Sequence, residues 1–247
     1  MAKNQMLLYG KNSVYERLKI RPESIKKIFL EETFKAPHIE KLIRKRNIPV
    51  ERLTMRKIEN MKRAKNVQGI IACVDVFSYA LYETLLQPLV QSQNTVIFLD
   101  RINDPQNLGV IIRTLACFGG FDAVIPEKAA CRVTEAVLHV ASGGENYVRL
   151  AMVSDILQAV KTAKARGYRL MGGIADADGA QDINKLRISF PCALVLGAET
   201  TGISAEIREL LDAKVYIPMP GAHLSLNVSM AATIFSYEIT RQRKEFL

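Results

Sequence analysis

The sequence predicts an α/β protein in which a small basic domain precedes a doubly wound, mostly parallel sheet. Two observations lead to this prediction. From residue 95 onward, short apolar runs alternate with amphipathic stretches of helical length, which is typical of a parallel sheet with crossover helices. The excess of positive charge lies in the first third of the chain. With 247 residues, 49% of them hydrophobic, the chain is long enough to bury a substantial core.

Residues 1–76 have the pattern of a small α/β unit. The expected elements are a helix at Ser13–Lys19, an extended segment at Ile25–Leu30, a basic helix at Pro37–Arg46, and strands at Pro49–Leu53 and Gly69–Val76. Residues 77–94 are polar with scattered leucines, so we interpret them as a linker. The prediction is a basic α/β domain at 1–76, a linker at 77–94 and a second domain at 95–247.

The second domain is predicted to contain six strands and five helices. The strands are expected at Val96–Leu99, Ala123–Ile125, Tyr147–Met152, Arg169–Ile174, Ala193–Leu196 and Val215–Ile217. The helices are expected at Pro105–Phe118, Thr134–Ala141, Ser154–Arg166, Ser204–Leu211 and Val228–Arg243. Because each strand is followed by a turn or a helix, most strands should run parallel and bind ligands at their carboxyl ends. Neither GxGxxG nor GxxxxGK[ST] occurs, so a dinucleotide or P-loop site is not predicted.

The distribution of charge indicates a polyanionic partner. The formal net charge is +9, and residues 1–76 contain 18 Lys and Arg against 8 Asp and Glu, whereas residues 77–247 contain 16 against 17. A localised basic surface attracts phosphates because each neutralised phosphate releases condensed counterions. The clusters at Lys41–Arg46, Arg56–Lys57 and Lys62–Lys65 favour nucleic acid over the alternative, an ordinary solvated basic face.

Several classes of protein are not expected. No stretch reaches about 18 uninterrupted apolar residues and no signal-peptide pattern begins the chain, so we expect a soluble protein in the cytoplasm, without a membrane partner. The four cysteines lie far apart without CxxC spacing and mostly in apolar runs, which predicts buried free thiols. The three histidines also lack ligand spacing. The sequence therefore predicts no structural or catalytic metal.

The first stretch that contains candidate site residues is 96–114. A buried strand leads to Asp104 and Pro105, an N-cap residue followed by proline at the first helical position, and the helix should end at Gly119–Gly120. Asn107 and Arg113 are polar exceptions within this otherwise apolar helix. An arginine on such a helix is more often a solvated surface residue, so a site is not established by this pattern alone.

Two further stretches contain polar residues just after the ends of strands of the predicted sheet. In residues 192–204, an apolar strand ends at Gly197, where the backbone must approach another group closely, and Glu199 follows at the carboxyl end of the sheet. In residues 215–243, a short strand is stopped by prolines, and Ser225 and Asn227 precede the last helix. Both of these side chains are possible N-caps, which would be a purely structural role.

Together these stretches resemble the three motifs of the SpoU (TrmH-like) RNA 2′-O-ribose methyltransferases. The resembling segments are DPQNLGVIIRT, LGAETTG and IPMPGAHLSLNVSMA, in this order within residues 95–243. Residues 1–76 resemble, more loosely, the substrate domain of the rRNA branch through the segments GKNSV and VQGI. The resemblance implies S-adenosylmethionine as cofactor, a deep C-terminal trefoil knot and a homodimer formed through the knotted domain.

The resemblance also implies which residues form the site. Those expected to hold S-adenosylmethionine are Leu196, Gly197, Ile217, Met219, Gly221 and Leu226. Those expected to act on the ribose are Asn107, Arg113, Glu199, Ser225 and Asn227. A guanidinium holds its proton too strongly to be a good base, so we expect Arg113 to bind phosphate and stabilise the developing alkoxide.

The leading hypothesis is a 23S rRNA guanosine 2′-O-methyltransferase. A tRNA ribose methyltransferase is the nearest alternative, although such enzymes usually lack this basic leading domain. A non-catalytic RNA-binding or ribosome-assembly factor on the same fold is the alternative from another class. The joint presence of five site residues, Asn107, Arg113, Glu199, Ser225 and Asn227, argues against it.

Overall fold

The computed structural model describes residues 4–62, 67–86, 94–175, 179–222 and 224–244. The basic residues Arg63 and Lys65, residues 87–93 of the predicted linker and the last three residues lie outside these ranges. The chain forms two compact units. The first contains Met1–Ser78 and Val133–Tyr147, and the second contains Tyr79–Arg132 and Val148–Leu247.

The elements up to residue 86 alternate between strands and helices. They are β1 (Gln5–Tyr9), α1 (Lys11–Ile20), β2 (Ile25–Glu31), α2 (Pro37–Lys45), β3 (Val50–Leu53), α3 (Met55–Lys62), β4 (Ile70–Asp75) and α4 (Tyr82–Leu85). Strands β1, β4, β2 and β3 form one sheet in that order, with only β2 and β3 parallel. The sequence analysis did not predict β1 or α3, because neither has a clear period: β1 buries two adjacent residues, Leu7 and Leu8, and α3 fully buries only Ile58.

The remaining elements build the second sheet and its helices. They are β5 (Thr95–Asp100), α5 (Pro105–Phe118), β6 (Phe121–Pro126), α6 (Glu135–Ala141), β7 (Leu150–Val153), α7 (Ile156–Ala165), β8 (Arg169–Gly173), β9 (Gln181–Asp182), β10 (Cys192–Gly197), α8 (Ala205–Arg208), β11 (Ala213–Tyr216) and α9 (Val228–Lys244). The sheet has seven strands in the order β7-β6-β5-β10-β8-β11-β9, and its paired strands are parallel. The predicted α/β class with a mostly parallel sheet is confirmed.

Three details of the second sheet differ from the prediction. The strand expected at Tyr147–Met152 begins only at Leu150, because a 3₁₀ turn at Gly144–Asn146 precedes it. The helix expected at Ser204–Leu211 is a single turn. The two-residue edge strand β9 was not expected at all, since two residues carry no periodicity.

Segment 133–147 packs with the first unit, whereas the predicted domain 95–247 included it. Strand β1 is an edge strand, and the Glu135 carboxylate accepts a hydrogen bond of 2.5 Å from the free backbone N–H of Leu7. The Arg17 guanidinium on α1 donates to Glu145 at 3.0 Å, with both side chains buried. Helix α6 thus covers an exposed strand edge, one of the ways in which proteins protect such edges.

The second unit is fixed by a core on its sheet and by the contact between α5 and α9. Buried Phe98 and Val195 lie in the central strands, and Thr114 on α5 lies 3.2 Å from Thr233 on α9 between their hydroxyl oxygens. At the other end of α9, the Arg243 guanidinium donates to the carbonyl of Gly119 at 2.8 Å. A cation at the carboxyl end of α5 stabilises its free carbonyls.

The cysteines and the helix lengths test two further expectations. All four cysteines are free, but only Cys73 and Cys192 are buried, since Cys117 is exposed and Cys131 is half-buried. The prediction of buried thiols is therefore wrong for two of them.

No helix within the described ranges is long and apolar enough to cross a membrane.

Candidate active site

Three of the predicted polar residues meet at the carboxyl end of the second sheet. Glu199 Oε1 accepts hydrogen bonds from Asn107 Nδ2 at 2.8 Å and from Asn227 Nδ2 at 2.7 Å. Asn227 Nδ2 also lies 2.9 Å from Asn107 Oδ1. We call Asn107, Glu199 and Asn227 the Asn–Glu–Asn cluster. Residues distant in sequence are brought together because strands β5, β10 and β11 end at the same edge of the sheet.

The local structure of each cluster member explains its position. Asp104 caps α5 by accepting from the Gln106 N–H at 2.8 Å, which places Asn107 in the first turn, where it is 7% exposed. Asn227 precedes α9 and its Oδ1 accepts from the Ser229 N–H at 2.8 Å, so it is an N-cap as well as a cluster member. Ser225 is exposed and does not cap the helix, so the expectation of two caps is confirmed for Asn227 alone.

A cavity of about 330 Å³ opens beside the cluster. Glu199 and Ser225 line it, as do five of the six residues predicted to hold a cofactor: Leu196, Gly197, Ile217, Met219 and Leu226. Gly221 is not among the residues that line the cavity, so its predicted role has no support in this geometry. This volume lies in the range of pockets for small ligands and cofactors, in which mostly apolar walls carry a few polar groups.

Gly197 forms the closest backbone approach at the cavity wall. A Cβ atom at this position would lie 2.1 Å from the carbonyl carbon of Gly202 and 2.3 Å from the Ile203 nitrogen. The Gly202 N–H donates to the Ala198 carbonyl at 2.8 Å, which closes the intervening turn. Only glycine allows strand β10 to pass this close to the turn, as the sequence predicted for a strand ending in Gly197.

Arg113 is not joined to the Asn–Glu–Asn cluster. Its side chain is exposed on α5 and forms no hydrogen bond or ion pair with the described residues. Val110 and Cys117, three residues before and four residues after it, are exposed on the same helix face. The arginine thus remains free to contact a group outside the described chain.

The structure adds residues that the sequence patterns did not single out. Arg208 on α8 and Glu199 are the charged side chains lining the cavity within the described ranges. Asp100, the last residue of β5, and Arg101, which follows it, contact the turn that contains Glu199. A charged residue at the carboxyl end of a buried strand was the available signal for Asp100, but no pattern pointed to Arg208.

Comparison with known proteins identifies the family. A model described as the SpoU rRNA methylase family matches residues 94–237, more than half of the chain. This chain belongs to the SpoU rRNA methylase family. A second model, described as RNA 2′-O ribose methyltransferase substrate binding, matches residues 7–80. The resemblance seen in the three sequence motifs is confirmed, and with it the assignment to the RNA methyltransferases.

Individual SpoU relatives cover nearly the whole chain. A protein of Bacillus subtilis named as the putative TrmH family tRNA/rRNA methyltransferase YacO is 30% identical over 98% of both chains. An rRNA methyltransferase from Sinorhizobium meliloti, solved with bound AdoMet, superposes with a TM-score of 0.80 at 22% identity over 99% of this chain and 88% of that one. The SpoU methyltransferase AviRb from Streptomyces viridochromogenes, in complex with AdoMet, gives 0.79 at 22% identity over 98% and 92%. These structural likenesses establish a shared fold.

Proposed function

We propose that this protein transfers a methyl group from S-adenosylmethionine to the ribose 2′-hydroxyl of a guanosine in 23S rRNA. The observation that carries the proposal is the Asn–Glu–Asn cluster, whose Glu199 lines a cavity together with five of the predicted cofactor residues. Family membership supports the reaction class. The basic first unit, matched by a substrate-binding model, supports a large RNA as the substrate.

The cavity fits S-adenosylmethionine in size and in chemistry. Leu196, Ile217 and Phe235 provide apolar walls suited to an adenine, while Glu199 and Arg208 carry opposite charges that suit a ligand with cationic and anionic groups. When bound, S-adenosylmethionine supplies an electrophilic methyl group on its sulfonium. The protein's task is then to orient the ribose hydroxyl in line with that carbon and to assist loss of the hydroxyl proton.

The Asn–Glu–Asn cluster is suited to hold a ribose. The side-chain amides of Asn107 and Asn227 both donate to Glu199 Oε1 and thereby fix the orientation of this carboxylate. Its other oxygen, Oε2, forms no hydrogen bond with the described residues. Oε2 is available to accept from a ribose hydroxyl, and the Ser225 hydroxyl lines the same cavity. The Arg113 guanidinium would bind an RNA phosphate and stabilise negative charge on the attacking oxygen.

The RNA surface of the first unit is proposed to include α2. Its buried face consists of Ile39 and Ile43, and the opposite face exposes Lys41, Arg44 and Lys45. Within the described residues, none of these three cations pairs with a carboxylate. A helix face with unpaired cations suits a nucleic-acid backbone, because each phosphate that it neutralises releases condensed counterions.

A homodimer is proposed through the exposed face of α5 and α9. Val110, Met230, Ile234 and Tyr237 are 36%, 60%, 37% and 58% exposed, and together they form an apolar stripe. Arg113 lies on the same face of α5 as Val110, so a partner on this stripe would adjoin it. Light scattering of the wild-type protein should give twice the mass of one chain, and Tyr237→Asp should reduce it to the mass of a single chain. Leu81→Asp is the control and should remain dimeric, because Leu81 is 73% exposed but lies outside the stripe.

Two finer expectations complete the proposal. A trefoil knot is supported by the strand order, in which β10 enters between β5 and β8 and α9 then returns to α5. A crystal structure with a continuous main chain through residues 173–244 would test it. Residence in the cytoplasm follows from the proposed substrate.

Transfer of labelled methyl from S-adenosylmethionine tests the reaction and its substrate together. Two RNAs should be compared, a 23S rRNA peptidyl-transferase fragment and bulk unmodified tRNA. We expect label on the rRNA, lost by a factor of about 100 or more in Arg113→Ala and little restored in Arg113→Lys, because the planar guanidinium matters. Arg132→Ala, at another exposed arginine, is the control. Label on tRNA alone would change the substrate, and label on neither, without cofactor binding, would indicate a non-catalytic RNA-binding protein.

A further inference from the structure

At the carboxyl end of β5, two charged residues, the last of the strand and the one after it, hold the turn that forms one wall of the cavity. The Asp100 carboxylate is 2% exposed, and its Oδ2 accepts from the Ser204 N–H at 2.8 Å. The Arg101 guanidinium bridges from Asp100, at 3.2 Å between Nε and Oδ1, to the Gly202 carbonyl at 3.1 Å from Nη2. Residues 198–203, which include Glu199, all line the cavity, whereas Asp100 and Arg101 do not.

The backbone at Arg101 is strained. Its φ is +63°, in the left-handed region that favours glycine, and an ordinary side chain there raises the energy of the folded state. Glycine or asparagine would adopt this conformation more easily. The contacts of the guanidinium with Asp100 and Gly202 offset this strain, and strained residues of this kind are concentrated at functional sites.

We infer that Asp100 and Arg101 are positioning residues that fix turn 198–204 and thereby the cofactor cavity and Glu199. This inference rests on the proposed cofactor site and extends it to residues that touch neither ligand nor cluster. Asp100 holds the end of the turn through the Ser204 N–H, and Arg101 holds its middle through the Gly202 carbonyl. Two points of attachment on one turn prevent it from pivoting about either one.

The substitution Arg101→Gly distinguishes an effect on the position of the turn from a general loss of stability of the fold. The substitution removes the guanidinium contacts but relieves the left-handed strain, so these two effects largely cancel and the melting temperature should change little. Loss of the charge-assisted bond to Gly202 should free the turn and weaken binding of S-adenosylhomocysteine, measured by calorimetry, by about tenfold. Ala129→Gly is the matched control, because Ala129 also has a left-handed φ of +55° in the same unit but forms no hydrogen bond with the turn within the described residues.

Hydrogen exchange without any ligand makes the test independent of the proposed function. We expect amides of residues 198–204 to exchange at least tenfold faster in Arg101→Gly than in wild type, with no change in α7 and none in Ala129→Gly. Unchanged exchange of the turn, or S-adenosylhomocysteine affinity equal to wild type, would overturn the inference. Faster exchange of the turn in a protein whose wild type does not bind S-adenosylhomocysteine would support the positioning role and refute the proposed cofactor instead.

Discussion

Gly197→Ala is the substitution whose effect follows most directly from the geometry. The new Cβ would lie 2.1 Å from the carbonyl carbon of Gly202, whereas ordinary contact begins at 3.4 Å, so strand β10 and turn 198–204 must separate by roughly 1 Å. Both neighbours are backbone and cannot rotate away. The separation stretches the bond between the Asp100 carboxylate and the Ser204 N–H, now 2.8 Å, and moves Glu199.

The cost of this change can be estimated from overpacking and from the strained hydrogen bond. Overpacking of a close contact costs about 1–3 kcal/mol and a lost hydrogen bond about 1 kcal/mol, so we expect a loss near 3 kcal/mol. For a chain of this size that lowers the melting temperature by roughly 6–12 °C. Because the turn is part of the cavity wall, affinity for S-adenosylhomocysteine should fall at least tenfold.

Two glycines serve as controls in the same scanning-fluorimetry and calorimetry assays. At Gly202 a Cβ would meet nothing within 4 Å, but φ is +63°, so Gly202→Ala should cost only about 1 kcal/mol of backbone strain. At Gly221 a Cβ meets nothing within 4 Å and no left-handed φ occurs, so Gly221→Ala should match wild type in both assays. A Gly197→Ala protein as stable as Gly221→Ala, with unchanged affinity, would refute the reasoning.

Three other predictions concern the cap, the cavity charge and the thiols. Asn227→Asp should keep the N-cap but replace the amide donor by a second carboxylate beside Glu199, so the melting temperature should fall and kcat should drop about 100-fold. An active variant would contradict the cluster's role. Arg208→Gln should weaken binding of S-adenosylhomocysteine about tenfold but leave binding of methylthioadenosine, which lacks the carboxylate, unchanged. Lys161→Gln is the control, and equal losses of affinity for both ligands would refute recognition of the carboxylate by Arg208. Burial raises the pKa of the Cys192 thiol to about 11, so at pH 8 iodoacetamide should label exposed Cys117 long before Cys192, as mass spectrometry would reveal.

The elements predicted most accurately are those whose ends are marked in the sequence by a capping residue, proline or glycine. Helix α5 was predicted with its observed bounds, because Asp104, Pro105 and Gly119 mark its ends through a cap bond, a fixed φ and a positive φ. Helix α8 was predicted too long, since its apolar pattern continues past Arg208 while the backbone turns towards β11. Periodicity therefore located elements better than it located their ends when no glycine or proline marked them.

The site was predictable in part, for a physical reason. The rule that parallel strands bind ligands at their carboxyl ends predicted the right edge for Glu199, but it could not predict that Asn107 and Asn227 donate to the same carboxylate oxygen. The motif resemblance supplied that grouping. Arg101 escaped both approaches, because a left-handed backbone is anticipated at glycine or asparagine and not at arginine.

The domain boundary shows why a predicted helix does not reveal its partner. Helix α6 was expected from its periodicity, but strand β1, whose edge it covers, was not, so nothing in the pattern assigned residues 133–147 to the first unit. The buried pair of Arg17 and Glu145 makes this assignment energetically important, because removing one partner of a buried ion pair costs about 3–5 kcal/mol. A fragment of residues 1–78 should therefore unfold at lower denaturant concentration than the first unit of the intact chain. Equal midpoints would show that segment 133–147 contributes little to that unit.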